Sequence, residues 1–281
     1  MVSGNDAAVA LAESVGNDIQ NFSCMMNQKA LDIGLDSSHF VTPHGLDQDE
    51  HYTTAFELAK IADYALNNDT FSKIVRTSNY TININNNPKN LHNTNELLGV
   101  LDGVYGVKTG FTNGANRCLV SACKRGKLDI ICVVLGCDTK KDRTLDSIKL
   151  INYIFDNFSV IDVGDVINTN FDIWVKQKSK SILINKGKFS NLNLCLNDKQ
   201  IKFKSIAVKN DSSKNVNTFI DFNRNLNAPL VENSVVGVLT VNVNGLDYFS
   251  VDILNRNYIE KKSVFNYIFS FLEDYFNFFE M

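Results

Sequence analysis

Two short stretches of this sequence hold side chains that could do chemistry together: Ser3-Gly4-Asn5, directly before a helix-forming run, and Lys108-Thr109-Gly110 in an apolar segment. Each alone is weak. Ser-x-Asn recurs at Ser213-Lys214-Asn215 and is a common helix-capping sequence. As a pair they suit acyl transfer to and from a serine. That reaction needs a hydroxyl relay beside the leaving nitrogen, an amide to hold the substrate backbone and a cation to receive a carboxylate. Ser3 supplies the hydroxyl and Asn5 the amide, while Lys108 supplies positive potential and Thr109 a hydroxyl donor for the carboxylate. Gly110 leaves room for a substrate along a strand edge. The N–H of Phe111 is placed to be half of an oxyanion hole.

The elements that must position these residues can be read from periodicity. Asn5 or Asp6 is expected to cap a helix through Ala7–Ala12, and Ser23 a second helix stopped by Gly34. Thr54 and Glu57 have capping-box spacing ahead of the stripe Leu58, Ile61, Ala62, Ala65 and Leu66. Tyr80 to Ile84 alternates as a strand, followed by a turn at Asn85-Asn86-Asn87-Pro88. Gly103 to Phe111 predicts a strand beside a hairpin, 118–123 and 128–135, joined by Lys124-Arg125-Gly126-Lys127. Asp146 to Phe158 reads as an amphipathic helix. From about Val160 the texture changes to short β-rich runs (Phe171–Val175, Ser181–Ile184, Val235–Val243, Tyr248–Val251) between Asn/Lys/Gly turns, which predicts a small all-β module. Val264 to Met281 returns to a helix with a broad Phe-rich face.

At 281 residues, 44% hydrophobic and 21% charged, the chain has the length for two domains and the apolar content for a real core. A net charge of −3 without a Lys/Arg run speaks against nucleic acid as a partner. Six cysteines at irregular spacing fit neither a disulfide framework nor a zinc site, and read as buried thiols. His39, His44, His51 and His92 lack zinc-peptidase spacing, so no metal is expected; His44 reads as a turn residue and His51 as a helix-entry residue. Met1 to Asn5 has no signal-peptide pattern, and no run is apolar enough to span a bilayer.

In order along the chain, these motifs resemble the D-alanyl-D-alanine carboxypeptidases of the penicillin-binding protein group. Ser3-Gly4-Asn5 with its following helix is similar to their second motif. Pro43-His44-Gly45-Leu46-Asp47 with His51-Tyr52-Thr53-Thr54-Ala55 resembles a stretch before their next helix. Leu91–Asn95 and Gly106–Thr112 resemble the approach to and body of their third motif, and Asn225–Leu230 part of the β-rich domain that follows. The resemblance covers residues 1 to about 257. It implies an α+β fold: part of a transpeptidase/β-lactamase-like domain (antiparallel sheet with helices) over 1–158, a β-rich domain over 160–257 and an amphipathic helical tail over 258–281.

The resemblance also implies catalytic roles for Ser3, Asn5 and Lys108 and substrate contacts at Thr109, Gly110 and Phe111, with no cofactor. Its substrates would be peptidoglycan stem peptides ending in D-Ala-D-Ala, and β-lactams would acylate the intact enzyme. An extracytoplasmic site is implied, with possible attachment of 264–281 to a membrane surface, although the chain as written carries no export signal and would stay cytoplasmic. The family's first motif, Ser-x-x-Lys on a helix, lies upstream of Ser-x-Asn, and here two residues precede Ser3. The one Ser-x-x-Lys present, Ser121-Ala122-Cys123-Lys124, falls on an expected strand, where positions i and i+3 point to opposite sides. The expectation is therefore an incomplete and inactive copy of the enzyme. The alternatives are a non-catalytic wall-associated module that binds D-Ala-ended peptides, and a β-lactamase-related protein.

Overall fold

The computed structural model describes residues 2–178, 182–188, 192–201, 205–210, 215–223 and 225–268. The chain divides into two compact units, Met1–Asn157 and Phe158–Met281.

In the first unit, α1 (Asn5–Gly16) starts on Gly4, with no side-chain cap from Asn5 or Asp6. Helix α2 (Ile19–Asp32) is capped by Asp18, which accepts from Asn21 N at 2.7 Å. The expected Ser23 cap is thus wrong: Ser23 lies inside the helix, buried, and donates to the Phe40 carbonyl at 2.6 Å. Gly34, with φ +74°, ends the helix as expected. Thr54 caps α3 (Ala55–Leu66), accepting from Glu57 N at 3.1 Å. Asn68 caps α4 (Asp69–Arg76) in the same manner.

A hairpin follows, β1 (Asn79–Ile84) with β2 (Asn87–His92). Its turn is only Asn85-Asn86, both at positive φ, as a two-residue hairpin loop requires. Asn87 and Pro88, expected in the turn, begin the second strand; the two-stranded sheet gives Pro88 an edge, where a missing N–H costs nothing.

Three antiparallel strands make the first unit's main sheet: β3 (Val104–Thr112), β4 (Asn116–Arg125) and β5 (Leu128–Cys137), in that order. Helix α5 (Lys140–Asn157) covers one face, placing Ile148, Ile151 and Phe155 against Leu97, Leu119, Cys132 and Val134. It begins six residues before the expected Asp146, because Thr139 accepts from Asp142 N and donates to the Asp142 carboxylate. A second cluster holds Val75, Val107 and Ala122, with Leu66 and Phe71 of the neighbouring helices packed on it. Edge strand β3 therefore sits between two apolar layers.

The second unit contains β6 (Phe158–Asp162), α6 (Gly164–Lys178), β7 (Ile184–Asn185), β8 (Leu194–Leu196), β9 (Ser205–Lys209), β10 (Val216–Phe222), β11 (Leu226–Asn227), β12 (Ser234–Val243) and β13 (Leu246–Asn255). A four-stranded sheet runs β10-β12-β13-β8, while β6 pairs with β9 and β7 with β11. The unit is β-rich, with one correction: Phe171–Val175, expected as a strand, lies in α6. Val163, Ile167 and Phe171 are buried four residues apart, which is a helical stripe. Of the expected tail helix, 264–268 are helical, and 269–281 lie outside the described residues.

Glu57 ties α3 to the loop that follows α2. Its carboxylate accepts from Asp36 N, Ser37 N and the Ser38 hydroxyl, and those bonds pull its pKa below the usual carboxylate value. The lowered folded-state pKa means this contribution is complete above the unfolded pKa and is lost as pH falls through the folded one. Glu57→Gln should therefore lower stability at neutral pH and flatten the acid limb of a pH–stability curve. Parallel curves for the two proteins, one merely displaced from the other, would contradict this.

Candidate active site

Strand β3 carries Lys108, Thr109, Gly110 and Phe111 along a free sheet edge. Ser3 adopts a left-handed backbone (φ +62°) immediately before α1, and Lys108 Nζ donates to its Oγ at 3.0 Å. Two groups 105 residues apart in sequence thus meet directly. The ammonium also donates to the Thr109 carbonyl. Lys108 as a residue is exposed, yet desolvation pulls its pKa below the usual lysine value.

Thr109 is buried, and its hydroxyl lies 2.6 Å from that of Thr94. Thr94 belongs to a brace behind the strand. Asn95, also buried, donates to the Gly106 carbonyl at 2.8 Å and accepts from Leu97 N at 3.1 Å. Asn93 donates to the Thr77 carbonyl at 3.0 Å. A Cβ added at Gly110 would meet Cys118 Cβ at 3.6 Å, an ordinary contact. The protein interior therefore tolerates a side chain there, and what the glycine provides is a clear edge on the cavity side.

Ser3, Asn5, Lys108, Thr109, Gly110 and Phe111 all line one cavity of about 1130 Å³, the size of a pocket for a short peptide or small molecule. Its opposite wall is the loop 44–53. There Gly45 holds φ +78° beside His44, as expected of a turn. His51 precedes a β-bridge residue and serves as an acceptor: its Nδ1 takes the N–H of Val41 at 2.9 Å and of Thr42 at 3.3 Å. Burial chiefly, with His39 and His44 nearby, lowers its pKa. Asp47 reaches across to the β3–β4 turn and accepts from Gly114 N at 2.9 Å.

Sequence reasoning missed Arg143 and Glu96, and it placed Thr94 in the stretch Leu91–Asn95 without giving it a role. Arg143, on the first turn of α5, is buried and lines the cavity; its Nη2 donates to Glu96 at 3.3 Å, and its Nε has no partner among the described residues. Lys140 pairs with the same carboxylate at 2.5 Å. One signal did exist: Arg143 is in register with Ser147 and Ile151, so it stands on the helix's inward stripe.

Other candidates fall elsewhere. Ser121 is fully buried on β4, whereas Lys124 is exposed and paired with Asp129 at 3.4 Å. Cys123 and Cys132 are buried thiols, but Cys24 is exposed and Cys118, Cys137 and Cys195 are half-buried, contrary to the expectation for the set. Among the described residues no three His, Cys, Asp or Glu side chains converge as metal ligands.

The family described as D-alanyl-D-alanine carboxypeptidase matches residues 1–139, and that described as penicillin-binding protein 5, C-terminal domain, matches 155–261. D-alanyl-D-alanine carboxypeptidase DacF of Bacillus subtilis is 29% identical over 87% of this chain and 60% of its own length. The DacA enzyme of Haemophilus influenzae is 28% identical over 97% of this chain and 66% of its own length. This chain thus spans 60% and 66% of these two relatives. Penicillin-binding protein 5 from Haemophilus influenzae superposes with a TM-score of 0.73 at 26% identity, covering 92% of this chain and 72% of that structure. With one of these families over its first unit and the other over its second, the chain belongs to the serine-type D-alanyl-D-alanine carboxypeptidases of the low-molecular-weight penicillin-binding protein group.

Proposed function

We propose that the cavity receives the D-Ala-D-Ala end of a peptidoglycan stem peptide, and that the intact active site cleaves the terminal D-alanine through an acyl-serine intermediate. The observation that carries this reading is the contact between Lys108 Nζ and Ser3 Oγ, 3.0 Å apart at the wall of a cavity that Asn5 and Thr109 also line. In this reading the ammonium of Lys108 and the guanidinium of Arg143 attract the terminal carboxylate, and the Thr109 hydroxyl donates to it. Asn5 holds the substrate amide. Ser3, polarised by Lys108, passes a proton to the leaving nitrogen. The Phe111 N–H stabilises the oxyanion.

We further propose that these 281 residues, taken as they stand, bind without acylating, since the one Ser-x-x-Lys in the sequence lies on strand β4 with its serine buried. Peptidoglycan as substrate places the work outside the cytoplasm. Among the described residues no helix is long and apolar enough to cross a membrane.

Binding of an N-acetylated peptide ending in D-Ala-D-Ala, followed by ligand-observed NMR, tests the pocket. The free acid should bind about tenfold or more tightly than its C-terminal amide, because one charge-assisted bond contributes roughly 1.5–3 kcal/mol. Lys108→Ala should erase most of that difference. As pH rises, acid binding should fall before an ordinary lysine titrates, because desolvation has lowered the pKa of Lys108. Equal affinity for acid and amide in the unaltered protein would reject the reading.

A further inference from the structure

Four cationic side chains line the cavity, Lys108, Arg117, Lys140 and Arg143, together with two carboxylates, Asp47 and Glu96. Most are already committed. Lys140 and Arg143 share Glu96. Lys108 is bound to Ser3 and the Thr109 carbonyl. Asp47 is held by the Gly114 N–H and the Thr112 hydroxyl, which lower its pKa. Arg117 differs: among the described residues it has no carboxylate at ion-pair distance.

What holds Arg117 is an aromatic ring. Phe111 and Arg117 are cross-strand partners on β3 and β4, and the guanidinium carbon sits 3.7 Å from the Phe111 ring centroid. Stacking uses the face of the guanidinium and leaves its edge N–H groups available to an incoming acceptor. It also holds the fork in place before any ligand arrives, which reduces the entropy lost on binding. Phe111 is half exposed, so the stack is not closed over by protein.

Position along the strand supplies the ligand geometry. Phe111 lies three residues beyond Lys108, a separation of about 10 Å at the usual strand rise. A peptide lying along this edge with its terminal carboxylate at Lys108 covers roughly 7 Å in two residues. The residue two before its terminus then stands about 3 Å, one strand residue, short of Phe111, and a long side chain there can bridge the gap to Arg117.

We infer that Arg117, held on the Phe111 ring, is a specificity residue that selects peptides carrying a side-chain carboxylate two residues before the terminal D-alanine over those carrying an amide or an ammonium there. The inference rests on the reading of Lys108 and Thr109 as the receivers of the terminal carboxylate. It assigns the cavity two anion-binding points along one strand edge, the second of which reads the substrate's identity.

Three N-acetylated peptides, Glu-D-Ala-D-Ala, Gln-D-Ala-D-Ala and Lys-D-Ala-D-Ala, test it by ligand-observed NMR at low salt. The unaltered chain should bind the Glu peptide about two- to fivefold more tightly than the Gln peptide, the size expected of one partly exposed ion pair, with the Lys peptide weakest. Arg117→Gln should bring the Glu/Gln ratio close to one. Arg117→Lys, which keeps the charge and loses the stacked fork, should keep part of it. Lys127→Ala, in the exposed β4–β5 turn, should keep all of it. Near-equal binding of the Glu and Gln peptides to the unaltered chain would overturn the inference and leave the terminal-carboxylate reading standing. A preference for the Lys peptide would overturn it too, and would make Asp47 the dominant charge. Failure of all three peptides to bind would remove the reading underneath, and the inference with it.

Discussion

After incubation with a penicillin, these 281 residues should show their unmodified intact mass. Acylation needs a hydroxyl whose proton is taken by a nearby base, and two serines here could be considered. Ser121 is fully buried on a strand, and the lysine three residues on is exposed and paired with Asp129. Ser3 does lie 3.0 Å from an amine, but Lys108 Nζ donates both to Ser3 Oγ and to the Thr109 carbonyl, and a group that donates to the hydroxyl does not take its proton. Loss of the nucleophile in a serine hydrolase costs about 10⁶ in kcat, so adduct should be undetectable over hours. A stoichiometric mass shift mapped by peptide digestion to Ser3 would overturn this, and would make Ser3 the nucleophile with Lys108 as its base.

Limited proteolysis of the full chain should first cut within residues 5–100 and leave a resistant fragment that begins near Phe158. The two units have unequal cores. Among the described residues, eighteen buried apolar side chains form one cluster in the second unit, while the first unit has clusters of six and three. Helices α1 and α2 bury little: Leu11 is 68%, Val15 59% and Leu31 65% exposed. Each such side chain forgoes roughly 1.5–3 kcal/mol that full burial would contribute. Native domains have a margin of only about 5–15 kcal/mol, so a few such losses suffice to open the first unit locally. Equal resistance of the two units would show that the smaller clusters hold the first unit as firmly as the large one holds the second.

What could be read from sequence divides along a physical line. The strands 104–112, 116–125 and 128–137 were legible because each is a short apolar run bounded by turn residues. Thr54 was legible as a cap because capping is local. Helix α6 was misread because Phe171, Ile173 and Val175 alternate like a strand, while the longer stripe from Val163 through Ile167 to Phe171 has helical spacing; the short window hid the longer period. The six residues placed at the site by motif could be named from two tripeptides and their neighbours. Asp47 and Thr94 lay in motif stretches without a role attached, and Arg143 and Glu96 could not be named at all, since these four reach the cavity from three separate segments and no spacing along the chain records a tertiary meeting. Arg117 was unremarkable in sequence, and only its pairing with Phe111 across the strands sets it apart.

The bond from Gly114 N to Asp47 has a mechanical meaning. It fastens the tip of the β3–β4 hairpin to the loop that forms the far wall, so the two sides of the cavity share a pivot. A methyl at Gly114 would stand 3.1 Å from an Asp47 carboxylate oxygen, closer than a comfortable contact. The joint thus tolerates no side chain on its strand side without yielding. Breathing of the cavity, a loop motion of the nanosecond-to-microsecond kind, must rotate about this point, not through it.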